Sequence, residues 1–298
     1  MLPDGFSDLV GIIVQNWDWD VLPKKDTDVW DALLYTVFLG ATVRSAQANY
    51  AKEVFGTFLD YDKAKAVLTD ANWRKKALKI VDTELRSIHD TPGEGFKRAI
   101  LQIAIHEIDT FDLSRTIGDS LKFFSNYKIC ANKIKSLEND RRGSLDLIAS
   151  AAHEIHNVRY IKGVLWLYNC GIAKEIVPPN AHVTRFLNEC GYPGFGWSRD
   201  IPEDWQIFTI ACNKMSDVAK QVAIELNREI SPKQAQAAVW YLQTCRGLLD
   251  RNTKKKLTPN LLLAFLKNQK WSINQLNGKL GDVEELEDVT KKLKDFLG

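Results

Sequence analysis

An all-α protein is what this sequence predicts, on three observations. Apolar residues recur at three- and four-residue spacing through most of the chain, the repeat of helices that each bury one face. No segment alternates apolar and polar residues for long enough to make a strand, and β-branched runs are few. Helix follows helix across short loops, with capping residues before the apolar repeats and glycines after several of them.

In chain order, an opening helix is expected around Phe6–Trp17, then a turn containing Pro and Lys. Asp28 is placed to cap a strongly amphipathic helix whose repeat is Trp30, Leu33, Leu34, Val37, Phe38 and Ala41. Further helices are expected at Ser45–Phe58, Lys63–Leu68, Trp73–Ile88 and Gly95–Ile108. Ser114–Asp140 is helical in pattern, with Lys133 and Lys135 on its polar side, and Asn139–Gly143 reads as a turn. Beyond Gly191, the loop Tyr192-Pro193-Gly194-Phe195-Gly196-Trp197 is a candidate hinge. A helix from Trp205 to about Glu229 meets a restart at Ser231-Pro232-Lys233-Gln234, where Ser is the N-cap, Pro is at N1 and Gln at N3. Ala235–Leu249 carries Trp240 and Tyr241, Thr258-Pro259 starts another helix, and Val283–Leu297 closes the chain as a charged amphipathic helix.

The most informative stretch is residues 145–191. Leu145, Ile148, Ala152 and Ile155 mark one helical face, and a polar break follows at His156 and Asn157. Helical spacing resumes with Ile161, Val164, Leu165 and Tyr168. Two helices across so short a break form a helix-hairpin-helix, which can offer backbone N–H groups to a phosphate. Gly171 is placed to end the second helix, and Asn180, after Val177-Pro178-Pro179, to cap a third with Val183, Phe186, Leu187 and Cys190 on its apolar side.

A helix, hairpin and helix, followed by V-P-x-x-x-H-V opening another helix, resembles the core of the helix-hairpin-helix DNA glycosylases, among them endonuclease III and oxoguanine glycosylase. The resemblance covers roughly residues 28–191. It implies two helical lobes with a DNA-facing cleft between them: 28–191 as the core, and 1–27 with 192–298 as the second lobe. Family members open the last helix with a catalytic aspartate, and Asn180 stands in that place here. The family's Schiff-base lysine lies eighteen or nineteen residues earlier, on Lys162 or Ile161, so Lys162 is the candidate amine. That chemistry needs a neutral amine, and burial is what holds a lysine neutral. An asparagine can orient water or sugar but cannot act as a base. Such an enzyme suits a base that is already a good leaving group, whether alkylated, oxidised or hypermodified. Glu154 or Glu175 could supply the missing charge from nearby, although their position in the sequence does not show it.

The resemblance also implies DNA contacts. The hairpin residues Asn157, Val158, Arg159 and Tyr160 would meet a phosphate, with Asn157 replacing the family's hairpin glycines because asparagine tolerates left-handed backbone. His182 and Arg185 lie one turn apart at the start of the third helix. Thr42, with Arg44 beside it, falls where the family places a side chain that fills the gap left by an extruded base. Trp166, Trp240 and Tyr241 read first as core aromatics. An extruded base nevertheless needs an aromatic platform, for which Trp166 and above all the helix carrying Trp240 are the candidates. Two other assignments stay open: a degenerate relative that binds damaged or modified DNA without chemistry, and an all-α scaffold unrelated to nucleic acid.

Composition narrows the alternatives. With 298 residues, 45% hydrophobic and 26% charged, the chain is of ordinary globular type and large enough for one big domain or two lobes. No apolar run approaches a membrane span and the N-terminus lacks the pattern of a signal peptide, so a cytoplasmic protein is expected; a monomer is expected as well. Cys130, Cys170, Cys190, Cys212 and Cys245 are widely spaced and form no C-x-x-C pair. That argues against a zinc site, a disulfide framework or the iron–sulfur loop of some family members, so no metal or cofactor is expected. The net charge of +2 means that any double-stranded DNA surface must come from local segregation of charge.

Overall fold

The structure is a computed structural model that describes residues 1–16, 29–38, 60–68, 113–137, 140–172, 175–192, 204–281 and 283–298. Every regular element among the described residues is helical. Thr42, Arg44, the helices expected at 45–58, 73–88 and 95–108, and the hinge loop after Tyr192 lie outside them.

The chain divides into two compact units, one of Met1–Leu22 with Ala173–Gly298 and one of Pro23–Ile172. In the second unit lie the helices α2 (Val29–Phe38), α3 (Tyr61–Leu68), α4 (Leu113–Phe123), α5 (Tyr127–Lys135), α6 (Arg141–Glu154) and α7 (Tyr160–Asn169). Helix α7 packs against α2 and α6, and α4 packs against α3 and α6. An aromatic cluster holds this unit. Trp166 is fully buried, donates Nε1–H to the Val29 carbonyl at 3.0 Å, and meets Phe123 and Phe124 edge-on. Tyr61 stacks on Tyr127 with centroids 4.5 Å apart and donates its hydroxyl to the Phe124 carbonyl at 2.8 Å. Trp166 is therefore a core residue whose faces are already occupied by protein.

The first unit holds α1 (Phe6–Asn16), α8 (Ala181–Glu189), α9 (Trp205–Leu226), α10 (Pro232–Gly247), the single turn α11 (Arg251–Lys254), α12 (Pro259–Gln269), α13 (Ile273–Gly281) and α14 (Val283–Leu297). Helix α10 packs against α1, α8 and α9. Phe6 lies 4.4 Å from Phe186, centroid to centroid, within a core that also takes Val183, Leu187, Met215, Tyr241 and Phe265. The division falls at Ile172/Ala173 rather than after Gly191, because the apolar face of α8 is buried in this core.

Local signals explain the helix ends. Ser231 and Gln234 form a reciprocal capping box at α10, and Thr258 caps α12 ahead of Pro259. Helix α9 stops earlier than the apolar pattern suggests, at Leu226, because Asn227 turns left-handed at φ 49°. Gly171 and Gly191 close α7 and α8 at φ 76° and 82°. Residues 141–143, expected in a turn, instead form the first turn of α6, because the Asp140 carboxylate accepts from Gly143 N–H at 2.8 Å.

Candidate nucleic-acid interface

The hairpin stands where the sequence places it, between α6 and α7 at residues 155–159. The buried face of α6 is Ser144, Ile148, Ala151 and Ile155, one position off the expected Leu145 and Ala152, which are half-exposed. Gly163 lets the two helices close up: a Cβ there would sit 3.1 Å from Ile148 Cγ2. Asn157 takes the left-handed conformation, φ 63°, that glycine usually supplies, and its amide donates to Thr116 Oγ1 at 3.3 Å. The neighbouring His156 N–H donates to Asp119 Oδ2 at 3.4 Å, and Asp119 is flanked by Arg115 and Lys122 at 3.8 Å each.

Arg159 is the N-cap of α7 and makes no side-chain cap bond. The first bond of the helix is Gly163 N–H to the Arg159 carbonyl at 2.8 Å. Arg159 is exposed, Val158 is buried, and Tyr160 and Lys162 are half-buried. This end of α7 combines helix-dipole charge with a guanidinium, chemistry suited to a phosphate. Ile161, the alternative in register, is buried in the helix interface.

Lys162 belongs to the second unit and Asn180 to the first. In the first unit, Val177, Pro178 and Pro179 are buried, and the Cys212 thiol donates to the Val177 carbonyl at 3.3 Å. Asn180 then caps α8, its Oδ1 accepting from His182 N–H at 3.0 Å and Val183 N–H at 3.1 Å. The side-chain oxygen is thus engaged by the helix, as an aspartate's would be, without the charge. His182 is half-buried, and among the described residues its Nδ1 has no hydrogen-bond partner. Burial, and secondly the Arg185 guanidinium, push its pKa below the ordinary 6.5, so the imidazole is neutral at pH 7. Glu175, one candidate for the missing charge, is exposed in this unit; Glu154, the other, is exposed at the end of α6, where it accepts from Ser150 Oγ at 2.7 Å.

Trp240 is half-buried on α10 and meets Tyr241 edge-on at 5.0 Å, while Tyr241 is wholly buried. All five cysteines are free thiols; burial pushes those of Cys190 and Cys245 up to about 12, which makes them inert. Among the described residues no helix is long and apolar enough to cross a membrane. Sequence reasoning overlooked Asp119 and Thr116, the partners of the hairpin, because a segment that packs from earlier in the chain leaves no periodic trace in the hairpin itself. Comparisons with models of protein families, with curated proteins and with solved structures give no match.

Proposed function

We propose that this protein is a helix-hairpin-helix DNA glycosylase acting on a damaged or modified base. The observation that carries the proposal is the hairpin, where Asn157 adopts the glycine-like backbone and α7 opens without a side-chain cap beside the exposed Arg159. Arg159 and the first amides of α7 would hold a phosphate, and the capped start of α8 would present His182 and Arg185 to the sugar-phosphate chain.

Lys162 is the candidate nucleophile. Its neutral amine would attack C1′ of the deoxyribose while the bond from C1′ to the base breaks, the electron pair and then a proton going to the departing base. Opening of the sugar ring would leave an imine on Nζ, which borohydride reduces to a stable amine. If Lys162 is only a contact, water takes the nucleophile's place and an intact abasic site is the product. A second assignment, binding of modified DNA without excision, is favoured by Asn180, whose oxygen is committed to capping and whose amide carries no charge to offset an oxocarbenium-like transition state.

The test is base release from duplexes carrying alkylated, oxidised or hypermodified bases, with and without hot alkali, alongside borohydride trapping. Strand cleavage without alkali and a trapped adduct, both lost in Lys162→Ala, are expected for the Schiff-base route. Cleavage after alkali alone indicates hydrolysis by water. Tight binding to one member of the panel with no release at all points to the binding protein.

A further inference from the structure

The chain's small net charge hides a strong local imbalance in the first unit. From residue 251 to 281 there are seven lysines and arginines and not one aspartate or glutamate, so the remainder of the chain is net acidic. Four of these cations, Arg251, Lys254, Lys255 and Lys256, are packed into six residues between α10 and α12, and all four are exposed. Among the described residues none of the four makes an ion pair. Their neighbours differ: Asp250 is taken by Lys294 at 3.2 Å, and Glu189 by Arg246 at 2.7 Å. Asp250, the acid directly before the turn, is therefore paired with a cation from outside it.

The segment that carries the four charges is held in a defined turn. Lys254 N–H bonds the Asp250 carbonyl at 2.8 Å and Lys256 N–H bonds that of Thr253 at 3.0 Å. Arg246 Nε donates to the Leu257 carbonyl at 2.8 Å, tying the end of the turn to α10, and Leu257 is buried. Four like charges kept close together on a fixed backbone repel one another, and a polyanion relieves that repulsion.

We infer that the turn formed by Arg251 and Lys254–Lys256 is a docking surface for the phosphate backbone of double-stranded DNA of any sequence. Lysines are depleted at protein–protein interfaces, whereas phosphate contacts are largely theirs and arginine's. Stable membrane-surface anchoring takes a second, apolar element beside the charges. The exposed large apolar residues of the described chain are Met1, Ile129, Ile207, Ile210 and Ile224, none of them in this run. The surface lies wholly in the first unit, and its use requires neither Lys162 nor base excision.

The experiment is binding of the full chain to an unmodified duplex over a range of salt concentrations, so that an absence of excision on the modified panel leaves this result readable. Each phosphate contact contributes about 0.9 to the slope of log K against log salt. Lys254→Gln, Lys255→Gln and Lys256→Gln combined should flatten that slope by about 2–3 and weaken binding more than tenfold at low salt, while the triple arginine variant keeps wild-type behaviour. Circular dichroism and melting of the exposed triple variant should match the wild type. An unchanged slope in the glutamine variant, or no binding of the wild type to the duplex, whether or not it binds phosphatidylserine vesicles, overturns the inference.

Discussion

Asn180 and His182 are two residues apart, and their side chains answer different conditions. Asn180 satisfies two helix amides, so Asn180→Ala should cost about 1 kcal/mol in urea unfolding. Asn180→Asp keeps the acceptor and adds charge at the positive end of α8, a gain of about 0.3–1 kcal/mol at neutral pH. If the glycosylase assignment holds, the same variant should release base faster than the wild type, and a slower rate would count against it. His182 supplies a pH signature. Its folded pKa lies below the ordinary 6.5, so the unfolded chain binds the extra proton first. Its contribution to stability is complete above about 6.5, falls as pH drops through 6.5, and levels off below the depressed folded pKa. Melting temperature followed from pH 7.5 to 5 should show that decline, and His182→Gln should remove part of it.

At the scale of elements, the hairpin depends on one left-handed residue and one close approach. Asn157→Gly relieves the φ 63° conformation while losing the long bond to Thr116, so stability should change little; Asn157→Ala loses both advantages and should cost about 1–2 kcal/mol. Gly163→Ala sets helix propensity, worth about 1 kcal/mol in alanine's favour, against overpacking that typically costs about 1–3 kcal/mol. Ile148 is fully buried and has little room to yield, so overpacking should win. Chemical denaturation of the three variants ranks these effects, and a Gly163→Ala protein more stable than the wild type would show that α6 and α7 can separate at small cost.

For the whole molecule, each of the two units has a core of its own. In the second, the aromatic side chains of Trp30, Tyr61, Phe124, Tyr127 and Trp166 meet one another. In the first, a core of aliphatic side chains together with Phe6, Phe186, Tyr241 and Phe265 surrounds α10. Truncating Phe186 to Ala should cost about 3–5 kcal/mol, with the largest loss of amide protection in α1, α8 and α10, which pack around it. Trp166→Ala should cost about as much and lose protection first in α2 and α7. Hydrogen exchange read by helix distinguishes the two patterns.

The helical class and, among the described residues, several helix ends were legible in the sequence, because caps and periodicity are local and act within a turn or two of the residue that carries them. Ser231, Thr258, Asn180 and Gly171 could each be assigned on that ground, as could the hairpin and the unusual backbone expected of Asn157. Which face of α6 is buried, where the units divide, and that Trp166 is enclosed by Phe123, Phe124 and the Val29 carbonyl were decided only in the tertiary structure. Those outcomes depend on partners distant in the chain: Trp166 meets a carbonyl from residue 29, and α8 meets Phe6. Spacing along one helix carries no record of what another helix will present to it.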